Sequence, residues 1–215
     1  MPRTVTLSPD GRELAGLVPS GEARLLLGIT GAPGAGKSTL AVALAAAYGA
    51  VVVPMDGFHL ADVELDRRGL RDRKGAPETF DAWGYAALLG RVRRPAHPDE
   101  VVMAPAFERD LEQPLAGAIA VPPDAGLVVT EGNYLLLATE PWPRVRAALD
   151  AVWHVVTDEA LRRERLVARH VAFGKPPESA RAWVERVDEP NAALVEAAAA
   201  RADLVLDVSA WDPAG

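Results

Sequence analysis

The feature that most constrains this chain is a glycine-rich segment that lies between an apolar run and an alanine- and leucine-rich run. Residues 31–38 read Gly-Ala-Pro-Gly-Ala-Gly-Lys-Ser, which matches the G-x-x-x-x-G-K-S pattern, and Thr39 follows. Residues 25–30 predict a buried strand, and residues 38–48 predict a helix. A strand, a glycine turn and a helix in this order predict a phosphate-binding loop.

The residue types of this loop are the ones that a polyphosphate requires. Glycines let the backbone turn at positive φ and approach phosphate oxygens, and successive N–H groups then form an anion nest at a helix N-terminus. The lysine can reach the β- and γ-phosphates, and the Ser38 hydroxyl can ligate Mg²⁺. We therefore predict that ATP and Mg²⁺ bind here, and that the loop contributes Gly31, Gly34, Ala35, Gly36, Lys37, Ser38 and Thr39.

Further segments repeat the alternation of strands and helices. Strands are predicted at 51–54, 126–130, 151–157 and 203–208, helices at 81–93, 158–172 and 178–200, and a hairpin within 99–123. Short apolar strands that alternate with helices predict an α/β fold with a doubly wound parallel sheet, here the fold of the P-loop nucleoside triphosphate hydrolases with a helical lid. The 215 residues suit a single domain over 1–215, with 1–23 as a peripheral N-terminal segment and 158–176 as the lid.

Composition and charge narrow the classes of partner. The formal net charge is −7 and the pI is about 5.2, so the field of the whole chain repels nucleic acid. The absence of cysteine excludes disulfides, thiolate metal sites and a cysteine nucleophile. No apolar run approaches the ~20 residues that a membrane span requires. We expect a cytoplasmic protein that has a small-molecule partner and no nucleic-acid or membrane partner, and a homodimer is left open.

Two carboxylates follow predicted strands, at the sheet edge where ligands bind in open α/β folds. Asp56 follows the strand at 51–54, and Gly57 lets the chain turn there, so we interpret Asp56 as the catalytic base that takes the proton of an acceptor hydroxyl. Glu131 follows a strand predicted to neighbour the loop strand, so we assign it to the Mg²⁺ side. A simple strand-end cap remains the alternative for each carboxylate.

Three arginines share one face of the helix predicted at 158–172. Arg162, Arg165 and Arg169 are spaced i, i+3 and i+7, and Phe-Gly-Lys-Pro-Pro follows at 173–177. Such a helix can close over a triphosphate, exclude water and stabilise the charge that develops during transfer. We predict catalytic roles for these arginines, against the alternative of a solvated helix that is paired with its own glutamates.

Together these segments resemble the uridine kinase, phosphoribulokinase and type I pantothenate kinase branch of the P-loop kinases, and within it the members labelled nucleoside/nucleotide kinase or fructokinase-like. The resemblance covers about residues 25–207 and is carried by 31–39, 55–59, 73–81, 130–134, 162–169 and 188–192. The most specific segments are Asp-Gly-Phe-His at 56–59 and Lys-Gly-Ala-Pro-Glu-Thr-Phe-Asp at 74–81. The resemblance implies a phosphotransferase that uses ATP and Mg²⁺ with an alcohol group as acceptor.

The acceptor side departs from the family pattern. Pantothenate kinases carry Tyr-Ser-His and uridine kinases Tyr-Asp-Phe where residues 105–110 here read Pro-Ala-Phe-Glu-Arg-Asp. A carboxylate can accept from sugar hydroxyls, and an arginine can hold an acidic group through two hydrogen bonds. The candidate acceptor-binding residues are His59, Arg73, Lys74, Glu108, Arg109 and Asn191.

Several functions remain open at this stage. The leading hypothesis is a kinase for a sugar, nucleoside or related polyol. The alternatives are a pantothenate-kinase-like enzyme, a kinase with an acidic or phosphorylated acceptor, and a nucleotide-gated NTPase switch that has no acceptor, because a phosphate loop alone does not distinguish among them.

Overall fold

The computed structural model describes residues 2–18 and 24–213, and six of its strands form one parallel sheet. The strands are β1 (Arg3–Thr6), β2 (Leu25–Gly31), β3 (Val51–Pro54), β6 (Leu127–Glu131), β7 (Ala151–Val156) and β8 (Leu204–Asp207), and two further strands, β4 (Val102–Glu108) and β5 (Gln113–Val121), pair apart from the sheet. The order across the sheet is β1-β8-β7-β2-β6-β3. The loop strand β2 therefore lies inside the sheet, with β6 beside it as predicted.

Helices cover both faces of the sheet. They are α1 (Lys37–Tyr48), α2 (Asp62–Arg68), α3 (Ala82–Arg93), α4 (Trp142–Ala147), α5 (Glu159–Ala172), α6 (Pro177–Trp183) and α7 (Glu189–Ala197). Successive strand residues point to opposite faces, so Leu26 packs into one core with residues of α3, α4 and α7, and Leu27 packs into a second core with residues of α1. The doubly wound α/β architecture predicted from the sequence is confirmed.

The segment predicted as a hairpin forms an antiparallel pair of strands, β4 and β5. This pair packs against the 3₁₀ turn Met55–Phe58, which follows β3. A Cβ atom added to Gly57 would lie 2.4 Å from the carbonyl oxygen of Pro105, so only glycine allows the hairpin to pack this closely. This contact places the end of β4 above Asp56.

Three elements were not predicted from the sequence: β1, α2 and α4, the last of which has Trp142 and Val145 buried. Residues Arg3–Thr6, within the segment expected to be peripheral, form the edge strand of the sheet, where Val5 pairs with Leu206 of β8. Residues 1 and 19–23 of that segment lie outside the described residues. Helix α2 forms in the stretch interpreted only as polar, and buried Leu65 anchors it.

The region 178–200, where one or two helices are predicted, holds two α-helices, α6 and α7. A π-helical turn, Val184–Asp188, separates α6 from α7. The segment 158–176, which the sequence predicts to be a lid and which we call the lid segment, comprises α5 and the turn that follows it. Within the described residues, no helix combines the length and apolar character that crossing a membrane requires.

Candidate active site

The phosphate loop connects β2 to α1 and holds its lysine inside the protein. Gly34 and Gly36 have φ values of 80° and 100°, in the left-handed region that favours glycine. The Nζ atom of Lys37 donates to the carbonyl oxygen of Ala32 at 3.0 Å. Burial lowers the Lys37 pKa to about 8, and the negative charges of Glu131 and Asp56 partly oppose this shift. The Lys37 ammonium group is therefore poorly hydrated in the free protein, and a bound anion would stabilise its charge.

Ser38 and Glu131 meet where β2 and β6 end side by side. The Ser38 hydroxyl donates to Oε1 of Glu131 at 3.1 Å, and Glu131 is only 8% exposed. Burial, followed by the charge of Asp56, raises the Glu131 pKa. A hydroxyl beside a buried carboxylate that lacks an ion-pair partner among the described residues suits Mg²⁺, which is held by few protein ligands together with phosphates and waters.

The described residues enclose two adjoining cavities at this edge of the sheet. The first, which we call the loop cleft, has a volume of about 500 Å³ and runs from the glycines of the loop to Val208 and Trp211. The second, which we call the polar cavity, has a volume of about 330 Å³ and extends between Asp56 and Asn191. Both are bordered by Lys37, Ser38, Arg109, Arg169 and Phe173. A molecule in either cavity therefore has the loop lysine as a neighbour.

Asp56 lies in the polar cavity, in a short 3₁₀ turn that follows β3. Its Oδ2 atom accepts from Nη2 of Arg109 at 3.0 Å. The Arg109 guanidinium also lies 5.4 Å from the ring centroid of Phe107 and 6.0 Å from that of Phe173, at the end of α5. Arg109 thus joins the hairpin, the strand-end carboxylate and the lid segment.

The three arginines of α5 do not share one environment. Arg165 and Arg169 line the loop cleft, and no carboxylate of the described residues lies within ion-pair distance of either. Arg162 lines neither cavity, because its guanidinium is buried and donates to Glu189 at 2.7 Å and to the carbonyl oxygen of Pro33 at 3.4 Å. The structure therefore brings Arg165 and Arg169 to the cleft and does not bring Arg162 there, since its guanidinium contacts Pro33 behind the loop.

The loop and the lid helix are in direct contact. A Cβ atom on Gly34 would lie 2.8 Å from Cγ of Leu166 and 2.9 Å from the carbonyl oxygen of Arg162. Gly34, which occupies a variable position of the motif, is therefore required by packing as well as by its φ value. This contact holds Arg165 and Arg169 over the loop.

Aromatic rings form one wall of the polar cavity. The His59 ring lies 4.0 Å from that of Phe80 and 4.8 Å from that of Phe107, centroid to centroid. Its Nδ1 atom lies 2.8 Å from the Asp56 carbonyl oxygen, which can only accept, so Nδ1 carries the proton. Burial lowers the His59 pKa, which favours a neutral ring.

The structure separates the candidate acceptor-binding residues into two groups. His59, Lys74, Arg109 and Asn191 line the polar cavity. Arg73 and Glu108 do not: Arg73 is exposed and paired with Glu78 at 2.6 Å, and the Glu108 carboxylate accepts from the backbone N–H of Asp110. Arg73 ends the 3₁₀ turn Arg71–Arg73, so the basic run around it contributes Arg71 and Lys74 to the cavity, while Arg73 points away.

Residues that were not predicted from the sequence also line the polar cavity, among them His170, Trp183 and Asp188. His170 lies next to Arg169 and Asp188 lies one turn before Asn191, so proximity to selected residues was the available signal. Their side chains meet across the lid: Nε2 of His170 lies 2.8 Å from Oδ2 of Asp188.

Comparisons with known proteins find relatives that are named as kinases. The chain is 33% identical over 196 residues to a Schizosaccharomyces pombe protein named "Putative uridine kinase C227.14", and the match covers 85% of this chain and 83% of the relative. A solved structure of a "putative fructose transport system kinase" from Silicibacter sp. TM1040 is 40% identical, with a TM-score of 0.79 over 90% of this chain and 94% of that one.

A third similarity concerns the fold alone. YFH7 of Saccharomyces cerevisiae, described as "a putative P-loop containing kinase with a circular permutation", is 17% identical and aligns with a TM-score of 0.71 over 86% of this chain and 92% of that chain. No family model matches the chain.

Proposed function

This chain belongs to the family of ATP-dependent P-loop kinases that contains the uridine kinase-like proteins, and on that premise we propose that it transfers the γ-phosphate of ATP to a hydroxyl group of a sugar, nucleoside or related polyol. The observation that carries the proposal is that Asp56 and Lys37 border the same polar cavity, and that this cavity opens onto the loop cleft. A base and a phosphate-binding cation therefore face one acceptor-sized space.

ATP occupies the loop cleft in this proposal. Backbone N–H groups of the loop surround the phosphates, and Lys37, Arg165 and Arg169 supply positive charge. Arg165 and Arg169 can bind the phosphates without breaking an internal ion pair, because neither has a carboxylate partner among the described residues. The nucleoside extends toward Val208 and Trp211, which close the far end of the cleft.

Ser38 and Glu131 would hold Mg²⁺, Ser38 through its hydroxyl and Glu131 through its carboxylate or a bound water. The ion would neutralise charge on the β- and γ-phosphates. Glu131 meets this role because its carboxylate is buried and adjacent to Ser38.

The acceptor hydroxyl binds in the polar cavity beside Asp56. Its oxygen forms a bond to the γ-phosphorus, the bond from that phosphorus to the bridging oxygen of ADP breaks, and the hydroxyl proton passes to the Asp56 carboxylate. Arg109 positions this carboxylate at 3.0 Å and borders both cavities, so it can stabilise the charge of the transferring group.

The test is ADP release by Asp56→Asn with ATP, Mg²⁺ and a panel of sugars and nucleosides. We expect a fall in kcat of about 10²–10⁴-fold, which is the usual contribution of a positioned general base, and an almost unchanged affinity for ATP. The matched control is Asp66→Asn, since Asp66 is an exposed aspartate paired with Arg71. Equal turnover in both variants would remove Asp56 from the mechanism.

A second candidate is a kinase whose acceptor carries a carboxylate or phosphate group. Lys74 and Arg109 favour it, because both cations lie 5.4 Å from the Phe107 ring on the cavity wall. However, Lys74 already donates to Asp62 and Arg109 to Asp56, so an anionic acceptor would have to displace these internal carboxylates.

An NTPase switch without an acceptor remains the third alternative. In that case the Asp56→Asn variant would hydrolyse ATP as fast as the native protein, and no panel member would accelerate ADP release. Acceptor-dependent ADP release that is lost in Asp56→Asn supports a kinase instead.

A further inference from the structure

One side of the polar cavity, which we call the lid wall, holds polar groups that the proposed transfer to Asp56 does not use. They belong to the π-helical turn Val184–Asp188, to the start of α7 and to the end of α5. Single π-helical turns often occur at functional sites, because the inserted residue re-aims side chains. Here Asp188 closes the π-helical turn and Asn191 follows three residues later, so both face the cavity from adjacent positions.

Asn191 is a buried amide without a protein partner. It is only 7% exposed, and no side chain or backbone group of the described residues hydrogen-bonds to its amide. The amide atoms of Asn191 are open to the polar cavity, since the buried side-chain polar atoms that lack a partner among the described residues are those of His154 and Thr157. The amide is therefore available to hydrogen-bond a ligand that has complementary polar atoms.

Asp188 restricts the chemistry of that ligand. One carboxylate oxygen, Oδ2, is engaged by Nε2 of His170 at 2.8 Å, and the carboxyl side chain is only 11% exposed. The other oxygen has no partner among the described residues. An ionised carboxylate can only accept hydrogen bonds, so the ligand must present a donor at this point. The Asp188 carboxylate would repel an anionic group of the ligand at this point, although Arg169 and Lys175 line the same cavity.

An aromatic face completes this wall. Trp183 lines the cavity, and Nζ of Lys175 lies 4.9 Å from its ring on one side. The indole supplies apolar surface next to the carboxylate and the amide. Alternating apolar and hydrogen-bonding surface suits a carbon skeleton that carries several hydroxyls.

We propose that Asp188 and Asn191 bind a second hydroxyl of the acceptor, so that the substrate is a polyol with one hydroxyl at Asp56 and another at the lid wall. His170 is a positioning residue, because it holds Asp188 and does not itself need to touch the acceptor. The proposal rests on the proposed kinase activity and deepens it, since it requires at least two hydroxyls and disfavours an anionic group at the lid end.

The experiment compares Asp188→Asn with Glu185→Gln, an exposed residue of the same π-helical turn. Both variants are assayed with ATP, Mg²⁺ and D-ribose, D-fructose, uridine or D-ribonate as acceptor. We expect Asp188→Asn to raise the acceptor KM at least tenfold and to leave the ATP KM within twofold. Glu185→Gln should match the native protein. D-Ribonate should be a poorer acceptor than D-ribose.

A deoxy acceptor separates a binding role from a structural one. An analogue that lacks the contacted hydroxyl should have the same raised KM with the native protein and with Asp188→Asn, because the interaction is already absent. If the missing hydroxyl and the Asp188→Asn substitution each raised the KM by its own factor, and the two factors multiplied, the proposal would be contradicted. Preference for D-ribonate, or an Asp188→Asn variant indistinguishable from Glu185→Gln, would also overturn it.

Binding measurements keep this inference separate from the kinase proposal. Calorimetric titration of the same acceptors into the protein with ADP and Mg²⁺ needs no turnover. Neutral polyol binding that is lost in Asp188→Asn supports the lid site even if no phosphate is transferred, in which case only the kinase proposal fails. Absence of binding by every hydroxyl compound to the native protein would overturn the lid site itself.

Discussion

Lys37 connects the chemistry of the loop to pH. Its pKa is lowered to about 8 because the ammonium group is buried, and an unfolded lysine has a pKa of 10.5. Between these values the unfolded chain binds more protons than the folded one, so the contribution of Lys37 to stability rises with pH across this window. A bound triphosphate reverses the penalty, because a nearby anion favours the charged form.

ATP binding should therefore take up a proton at alkaline pH. We expect ATP affinity to fall as the pH rises above about 8, because the free protein loses the Lys37 proton that the complex retains. Calorimetry at pH 9 in two buffers of different ionisation enthalpy measures the uptake, and Lys37→Met should abolish it. A pH-independent ATP affinity between pH 7 and 9.5 would contradict the assignment.

At the scale of elements, the loop and helix α5 form one unit through Gly34. Gly34→Ala should be more harmful than Gly49→Ala, although both glycines have positive φ, because a Cβ at Gly49 would meet open space and one at Gly34 would meet Leu166 and Arg162. We expect Gly49→Ala to lower stability by about 1 kcal/mol and Gly34→Ala by more, with weaker ATP binding. Thermal unfolding and ATP titration of both variants measure this, and equal effects would contradict the packing argument.

The hairpin is the second element that shapes the site, because it brings Arg109 to Asp56. Arg109→Ala should lower kcat at least tenfold, whereas Arg73→Ala, which removes an exposed arginine outside the cavity, should leave kcat and KM unchanged. Steady-state kinetics of the two variants measures whether Arg109, and not Arg73, contributes to kcat. A strong effect of Arg73→Ala would show that the segment around it moves into the site during turnover.

At the scale of the whole molecule, features that depend on short stretches of sequence could be predicted, and features that depend on contacts between distant residues could not. The loop, the parallel sheet and the strand-end positions of Asp56 and Glu131 follow from short motifs and from periodicity, so they were predictable. The edge strand Arg3–Thr6 was not, because four residues acquire their pairing only from β8 at the other end of the chain. The pair His170 and Asp188 forms only when α5 and the π-helical turn are packed together.

Arg73 and Lys74 illustrate the same limit at the site. They are adjacent in an irregular segment that has no period to assign their directions, and only Lys74 reaches the cavity. Arg162 shares its helical face with Arg165 and Arg169, yet its guanidinium donates to Glu189 of α7 and therefore does not line the cleft. We propose that residues 1–215 work as a single kinase domain, with the lid segment over both cavities.

The central claim is that the γ-phosphate passes to a hydroxyl in the polar cavity and not to water. Phosphorus NMR of a reaction that contains the protein, ATP, Mg²⁺ and the acceptor panel measures this directly. We expect a phosphate ester that accumulates with ADP in equal amounts and that Asp56→Asn fails to form. Inorganic phosphate as the only product, at a rate that no acceptor changes, would contradict it.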